Sequence, residues 1–161
     1  MKKTISLILA ALCLVYIASC GYKESIVDFN FEMTKEDVSK LCEGSEKSDK
    51  YHYEGVSAYI RKDIPYLTGE EVTVFYYFDK DSGKLDRTVY YLSECSEKNI
   101  EKMKKSLDKK YNRVRNDTTE LDGVSKTTIK WESDDMDIIY NSGNKDGKVS
   151  SSISFEKREA N

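Results

Sequence analysis

Six strand-like runs separated by turn residues constrain the fold of this 161-residue chain more than any other feature. The runs are rich in tyrosine and β-branched residues, which favour strands. One connection between them, Asp79–Gly83 (DKDSG), is typical of a hairpin. Residues 112–125 are polar and predict a loop, with an edge strand within it as the alternative. The six runs are residues 53–62, 71–78, 84–92, 126–132, 136–141 and 148–156.

Two further segments have the periodicity of amphipathic helices. The first begins after Thr34, a candidate N-cap with Asp37 at the third helical position, and ends at Gly44. The second begins near Ser96 and carries many lysines, which face either solvent or an anionic membrane surface. The apolar positions are Val38, Leu41 and Cys42 in the first helix and Ile100, Met103, Leu107 and Tyr111 in the second.

The order of these elements, α-βββ-α-βββ, predicts an α+β fold with an antiparallel sheet and both helices on one face. Residues 81–91 align with residues 145–155 at a constant offset, which places Gly83 over Gly147. We therefore expect one α+β domain over residues 29–161, built from two αβββ units in tandem. The two repeats would span about residues 29–94 and 95–157.

The N-terminus has the pattern of an export signal. Two lysines follow Met1, and residues 5–18 are apolar apart from Ser6. This run is shorter than the roughly 20 residues that a membrane span needs. The sequence Ile17-Ala18-Ser19-Cys20 resembles the bacterial lipobox, which implies cleavage before Cys20 and a diacylglyceryl group on its thiol. Ordinary secretory cleavage near Ser19, with Cys20 a free or paired thiol, is the alternative.

This resemblance divides the chain and predicts where the protein is found. Residues 1–19 would be a lipoprotein signal peptide, and residues 20–28 a tether to the folded domain. The mature protein would be extracytoplasmic and held at the cell membrane or outer membrane by the lipid on Cys20. The 26 basic and 29 acidic residues are interspersed, so nothing suggests a nucleic-acid partner.

Few residues point to chemistry. Once Cys13 leaves with the signal and Cys20 is acylated, Cys42 and Cys95 remain, either as a disulfide or as free buried thiols. The sequence has a single histidine, His52, and no CxxC spacing, so it predicts no metal site. We find no nucleophile motif and no glycine-rich phosphate loop, and we expect neither a cofactor nor enzymatic activity.

Tyrosines on neighbouring strands form the candidate binding surface. Successive strand residues point to opposite faces, so Leu85 and Tyr91 are predicted to share one side of their strand while Tyr90 points outward. Together with Tyr59 and Tyr77, Tyr90 would form an aromatic platform for a peptide or a glycan. The alternative is that these rings pack under the helices or against each other across the strands.

Two short motifs resemble those of a known group of bacterial proteins. FEMTKEDVSKL, residues 31–41, is similar to the F-G-M-T-x-x-E-V helix start of SmpA/OmlA-like small lipoproteins. YFDKDSGKLDRTVYY, residues 77–91, is similar to their F-D-x-x-G-K-L hairpin. The tandem layout also resembles the β-lactamase-inhibitor-like fold. These families share a unit of one helix and a three-stranded sheet, and the resemblance implies a protein that binds other proteins without catalysing a reaction.

The sequence therefore predicts a membrane-anchored, non-catalytic protein-binding module at the bacterial cell envelope. Its partners would be the membrane, through the lipid on Cys20, and an envelope protein. A lipid-tethered protein that binds a solute or a glycan through tyrosines is the alternative.

Overall fold

A single antiparallel sheet of eight strands forms the body of the protein. The computed structural model describes residues 27–51 and 53–158. The strand order across the sheet is β1-β2-β3-β4-β8-β7-β6-β5, so the last strands of two four-stranded meanders pair at its centre. The elements are α1 (Lys35–Leu41), β1 (Glu46–Lys47), β2 (Val56–Arg61), β3 (Val72–Phe78), β4 (Leu85–Tyr91), α2 (Glu97–Lys110), β5 (Asn112–Leu121), β6 (Val124–Glu132), β7 (Met136–Lys145) and β8 (Lys148–Lys157).

The predicted α+β class of two αβββ units is wrong. In the described residues the helices are short, with 7 and 14 residues, and the eight-stranded sheet dominates, so the protein is mostly β. Each helix is followed by four strands rather than three. The additional strands are the two-residue β1 and the ten-residue edge strand β5.

All ten residues of strand β5 are exposed. Neither face of this strand packs on the core, so its sequence shows no alternation of hydrophobic and polar residues. It is held by backbone pairing with β6, and a β-bulge interrupts that pairing between Arg113 and Arg115. Its turn does have a sequence signal, since Asp122-Gly123 is a type of dipeptide favoured in two-residue hairpins. Both residues have positive φ angles, 51° and 73°, as a type I′ turn requires.

One face of the sheet, here called the core face, carries the hydrophobic core. A row of mutually opposed residues crosses six strands of this face: Tyr59, Val74, Tyr90, Ile153, Tyr140 and Ile129. Both helices contact the core face. The Cys42 thiol, at the end of α1, donates to the Tyr76 hydroxyl at 3.6 Å, and Trp131 Nε1 donates to Asp108 of α2 at 2.7 Å. The opposite face is called the open face.

The predicted N-cap of α1 and most of the predicted apolar stripe of α2 are confirmed, but α1 ends at Leu41 rather than at Gly44, and Tyr111 follows the end of α2. Thr34 is the N-cap of α1: the Asp37 N–H donates to Thr34 Oγ1 at 3.3 Å, and the Thr34 N–H donates to Asp37 Oδ2 at 3.0 Å. This is the reciprocal arrangement of a capping box. In α2 the three apolar residues Ile100, Met103 and Leu107 are buried.

Residues 28–31 also lie against the core face, over its central strands. The Phe29 ring is 5.6 Å from Phe155 of β8 and 5.9 Å from Phe31, both in edge-to-face geometry. Asp28 Oδ2 accepts from Arg61 Nη2 at 2.5 Å. Phe29 and Phe31 are therefore part of the hydrophobic core, whereas Asn30 is exposed. The predicted signal peptide, Cys20 and most of the predicted tether lie outside the described residues.

Candidate binding surface

The open face divides into an aromatic half and a charged half. Since both helices contact the core face, the open face is covered mainly by its own side chains. Strands β2 to β4 carry the aromatic half. On β6 and β7, Lys130 pairs with Glu132 at 3.0 Å and Asp137 at 2.9 Å, and Arg158 pairs with Glu132 at 2.9 Å. These four charged residues therefore form ion pairs with one another.

Four aromatic side chains are in contact on the other half, and we call them the aromatic patch: Tyr51, Phe75, Tyr77 and Tyr91. The Phe75 ring lies at the centre, 5.3 Å from Tyr51, 5.3 Å from Tyr91 and 6.4 Å from Tyr77. Arg87 lies 4.2 Å above the Tyr77 ring. Rings held by one another in this way offer apolar area at little entropic cost on binding.

A shallow groove of about 330 Å³ lies beside the aromatic patch. One wall is aromatic, and Tyr91 is 50% exposed there. The other wall is acidic, with Glu71 and Glu94. Glu71 is already paired with Lys62 at 2.8 Å. The groove can therefore accept an apolar side chain next to a basic or hydrogen-bonding group. Its lining residues are Tyr51, Glu71, Thr73, Phe75, Tyr91, Ser93 and Glu94.

The structure does not bring the three predicted platform residues together. Tyr77 lies on the open face, whereas Tyr59 and Tyr90 are buried on the core face. The cause in β4 is a β-bulge: Tyr77 pairs with Arg87 but Phe78 pairs with Leu85, so the alternation changes phase. Tyr90 then shares a face with Leu85, and Tyr91 points outward.

Sequence analysis missed Tyr51, which lies in a short 3-10 turn, and Phe75 and Tyr91, which lie on β3 and β4. In β2, the alternation of Ala58 and Ile60 with polar and aromatic residues would place these two aliphatic side chains in the core. The core face instead holds Tyr59 and Arg61. No local pattern distinguishes the two phases, because the buried charge of Arg61 is compensated not only by the neighbouring Asp63 but also by Asp28, which is distant in the chain.

Arg61 is the centre of a buried polar cluster on the core face. Its Nη1 donates to the Tyr76 hydroxyl at 2.8 Å, and its Nη2 donates to Asp28 at 2.5 Å and Asp63 at 2.7 Å. Burial alone would lower the pKa of Arg61, but the hydrogen bonds with both carboxylates outweigh it and keep the guanidinium charged. Burial also raises the pKa of nearby Tyr90. The cluster joins the N-terminal segment to β2 and β3.

Cys42 and Cys95 are separate free thiols in the structure, the first buried and the second half-buried. Burial raises the pKa of both thiols, and that of Cys95 to about 11. Glu70 and Glu94 contribute to the shift at Cys95. Neither thiol has the lowered pKa of a reactive cysteine.

We expect both thiols to alkylate slowly in the native protein. At pH 8, Cys95 should react with iodoacetamide about 100-fold more slowly than an unperturbed thiol, because only the thiolate attacks. Cys42 should react only when the domain unfolds, since it is almost fully buried. Mass spectrometry of timed samples with and without urea measures both rates. Rapid labelling of Cys42 without urea would contradict the packing of α1.

The chemistry available to the described residues is limited. They contain no group of three or more His, Cys, Asp or Glu side chains placed to hold a metal ion. Across residues 27–51 and 53–158, no helix is long and apolar enough to cross a membrane. The single histidine, His52, lies outside the described part of the chain.

Fold and surface together define a mostly β protein with one helix-covered sheet face and one aromatic open face. Comparisons with protein-family models, curated proteins and solved structures found no match to this chain.

Proposed function

We propose that this protein is a non-catalytic binding module of the bacterial cell envelope, anchored by acyl chains on Cys20, which holds a partner protein on its aromatic patch. The anchor rests on the lipobox resemblance of residues 17–20. The binding role rests on the aromatic patch, the observation that carries the proposal. Four contacting rings remain accessible on a sheet face that the helices do not cover.

The chemistry of the groove indicates what the partner presents. Binding hot spots are enriched in aromatic residues and arginine at the centre of a patch with a polar rim. Here the rim has Arg87 at the Tyr77 end and two carboxylates, Glu71 and Glu94, at the groove. A partner that inserts an apolar side chain beside Phe75, with a basic side chain next to it, fits this arrangement.

The substitution Tyr91→Ala tests this role. Tyr91 forms a wall of the groove and contacts Phe75, so its removal takes away the most exposed ring of the aromatic patch. We expect recovery of the partner by the lipidated protein to fall at least about tenfold, as for a binding hot spot. The measurement is affinity capture from detergent-solubilised native membranes with quantitative mass spectrometry.

A matched control is available in Tyr53→Ala. Tyr53 is 64% exposed and loses the same atoms, but it lies outside the aromatic patch. It should leave recovery unchanged within about twofold. If both variants capture the same proteins in the same amounts, the aromatic patch does not bind the partner.

Binding of a solute or a glycan is the second candidate. One observation favours it: the hydroxyls of Thr73 and Ser93 and the carboxylates of Glu71 and Glu94 surround exposed aromatic rings in one groove. Sugars are bound by this combination of stacking and hydrogen bonding. A glycan array probed with the wild type and the Tyr91→Ala variant separates the candidates. Glycan binding that depends on Tyr91, without a protein partner, would favour this second function.

A further inference from the structure

Four lysines form a single line on the outer side of α2, and we call them the lysine stripe: Lys98, Lys102, Lys105 and Lys109. An α-helix has 3.6 residues per turn, so these positions point in nearly one direction. The buried residues Ile100, Met103 and Leu107 point the opposite way. All four lysines are exposed, and none forms an ion pair with the described residues.

The acidic residues of α2 do not neutralise the lysine stripe. Glu101 pairs with Lys104, and Asp108 is held by Arg113 and accepts from Trp131. With Glu97, these acids lie together on one flank of the helix rather than on its outer line. The chain as a whole has a net charge of −3, so the lysine stripe is a local positive surface on an acidic protein.

The N-terminal segment lies on the same side of the sheet as the lysine stripe, and the proposed acyl anchor on Cys20 precedes this segment. Residues 28–31 lie on the core face, fixed by Asp28 on Arg61 and by Phe29 on Phe155. From Val27, the first described residue, seven residues lead back to Cys20, which reach at most about 25 Å when fully extended. An acylated Cys20 would therefore keep the helix-covered side of the sheet near the lipid.

We propose that the lysine stripe docks on anionic phospholipid headgroups and turns the aromatic patch away from the membrane. This inference rests on the acyl anchor of the proposed function. A lysine near an anionic surface strengthens membrane association about fivefold. Four of them suffice to orient a domain that a short tether already confines to the surface. The orientation leaves the open face available to a partner.

Lysine footprinting of the lipidated protein tests this docking. The protein is added to preformed vesicles of phosphatidylcholine, or of phosphatidylcholine with roughly one-third phosphatidylglycerol, and labelled with a membrane-impermeant acetylating reagent. We expect acetylation of the lysine stripe to slow about threefold or more on the anionic vesicles and to recover at about 1 M salt, where the Debye length is only ~3 Å. Exposed lysines elsewhere, Lys80, Lys126 and Lys145, serve as internal controls and should not change.

The outcomes separate the docking from its premise. Equal acetylation rates for the lysine stripe on both vesicles would overturn the docking and leave the anchor and the aromatic patch standing. Slower acetylation of Lys126 alone would mean that the open face, which carries this residue, lies against the membrane. That result would also overturn the docking of the lysine stripe. The intact mass of the same sample reports acylation. A mass without acyl chains would remove the anchor, and the docking with it, while the Tyr91→Ala comparison still tests the partner surface.

Discussion

Replacing Arg61 with alanine is expected to lower the free energy of unfolding by about 3 kcal/mol. The Arg61 side chain is 0% exposed and is hydrogen-bonded to Asp28, Asp63 and Tyr76. Removing it leaves the partly buried Asp28 carboxylate without its counter-charge and creates a cavity. The loss should fall near the lower end of the range for buried pairs, because Asp63 is 64% exposed and can rehydrate.

A second arginine provides the control. Arg115 also pairs with an aspartate two residues later, Asp117, at 2.5 Å, but its side chain is 58% exposed. Arg115→Ala should lower the free energy of unfolding by less than about 1 kcal/mol, as for other ion pairs on the surface. Urea unfolding followed by circular dichroism measures both variants. Equal losses would show that the buried cluster contributes no more than a surface ion pair.

The cost of removing Arg61 should depend on pH. The hydrogen bond from Arg61 holds the pKa of Asp63 below its ordinary value of 3.8, against the opposing effect of burial. A carboxyl with a lowered folded-state pKa contributes stability that is present above its unfolded pKa and lost as pH falls through its folded pKa. The difference in unfolding free energy between the wild type and Arg61→Ala should therefore become smaller below about pH 4.

Replacing Trp131 with alanine is expected to cost about 4 kcal/mol of unfolding free energy. Trp131 is fully buried between β5 and β7, opposite Arg113 and Ile138. Its Nε1–H donates to Asp108, so the side chain also ties α2 to the sheet. The substitution removes the largest buried side chain and leaves that carboxylate one donor short.

Trp131→Phe separates the packing from the hydrogen bond. Phenylalanine keeps most of the buried ring but cannot donate to Asp108, so we expect a smaller loss of about 1–2 kcal/mol. Leu121→Ala, at an exposed end of β5, should change stability by less than about 0.5 kcal/mol. A Phe variant as unstable as the Ala variant would mean that the bond to Asp108, rather than burial, dominates.

The local elements could be predicted because their signals are local. Thr34 and Asp37 cap α1 through contacts three residues apart. The buried stripe of α2 follows from the helical repeat of 3.6 residues. The backbone hydrogen bonds of a helix join residues four apart, so they form without any tertiary contact. By contrast, β5 has no buried residue and owes its structure to the backbone of β6, so its sequence has no hydrophobic pattern to detect.

The aromatic patch could not be predicted for a different reason. In the adjacent tyrosines Tyr90 and Tyr91, strand alternation requires that one ring points into the core and the other points outward, but it does not determine which one. A single extra residue in β4 exchanges the two faces, and the pairing partners of that strand decide where the extra residue lies. The Arg61 cluster similarly requires Asp28, which is 33 residues away in the chain.

The sequence by itself determined the two helices and six of the strands, because caps, turns and apolar periodicity act over a few residues. Only the tertiary structure decided that β4 and β8 pair at the centre of the sheet, that Tyr59 and Tyr90 are buried while Tyr91 is exposed, and that Phe29 and Phe31 belong to the core. Strand register and the ion pair between Arg61 and Asp28 depend on residues distant in the chain, and these long-range contacts form only when the chain is folded.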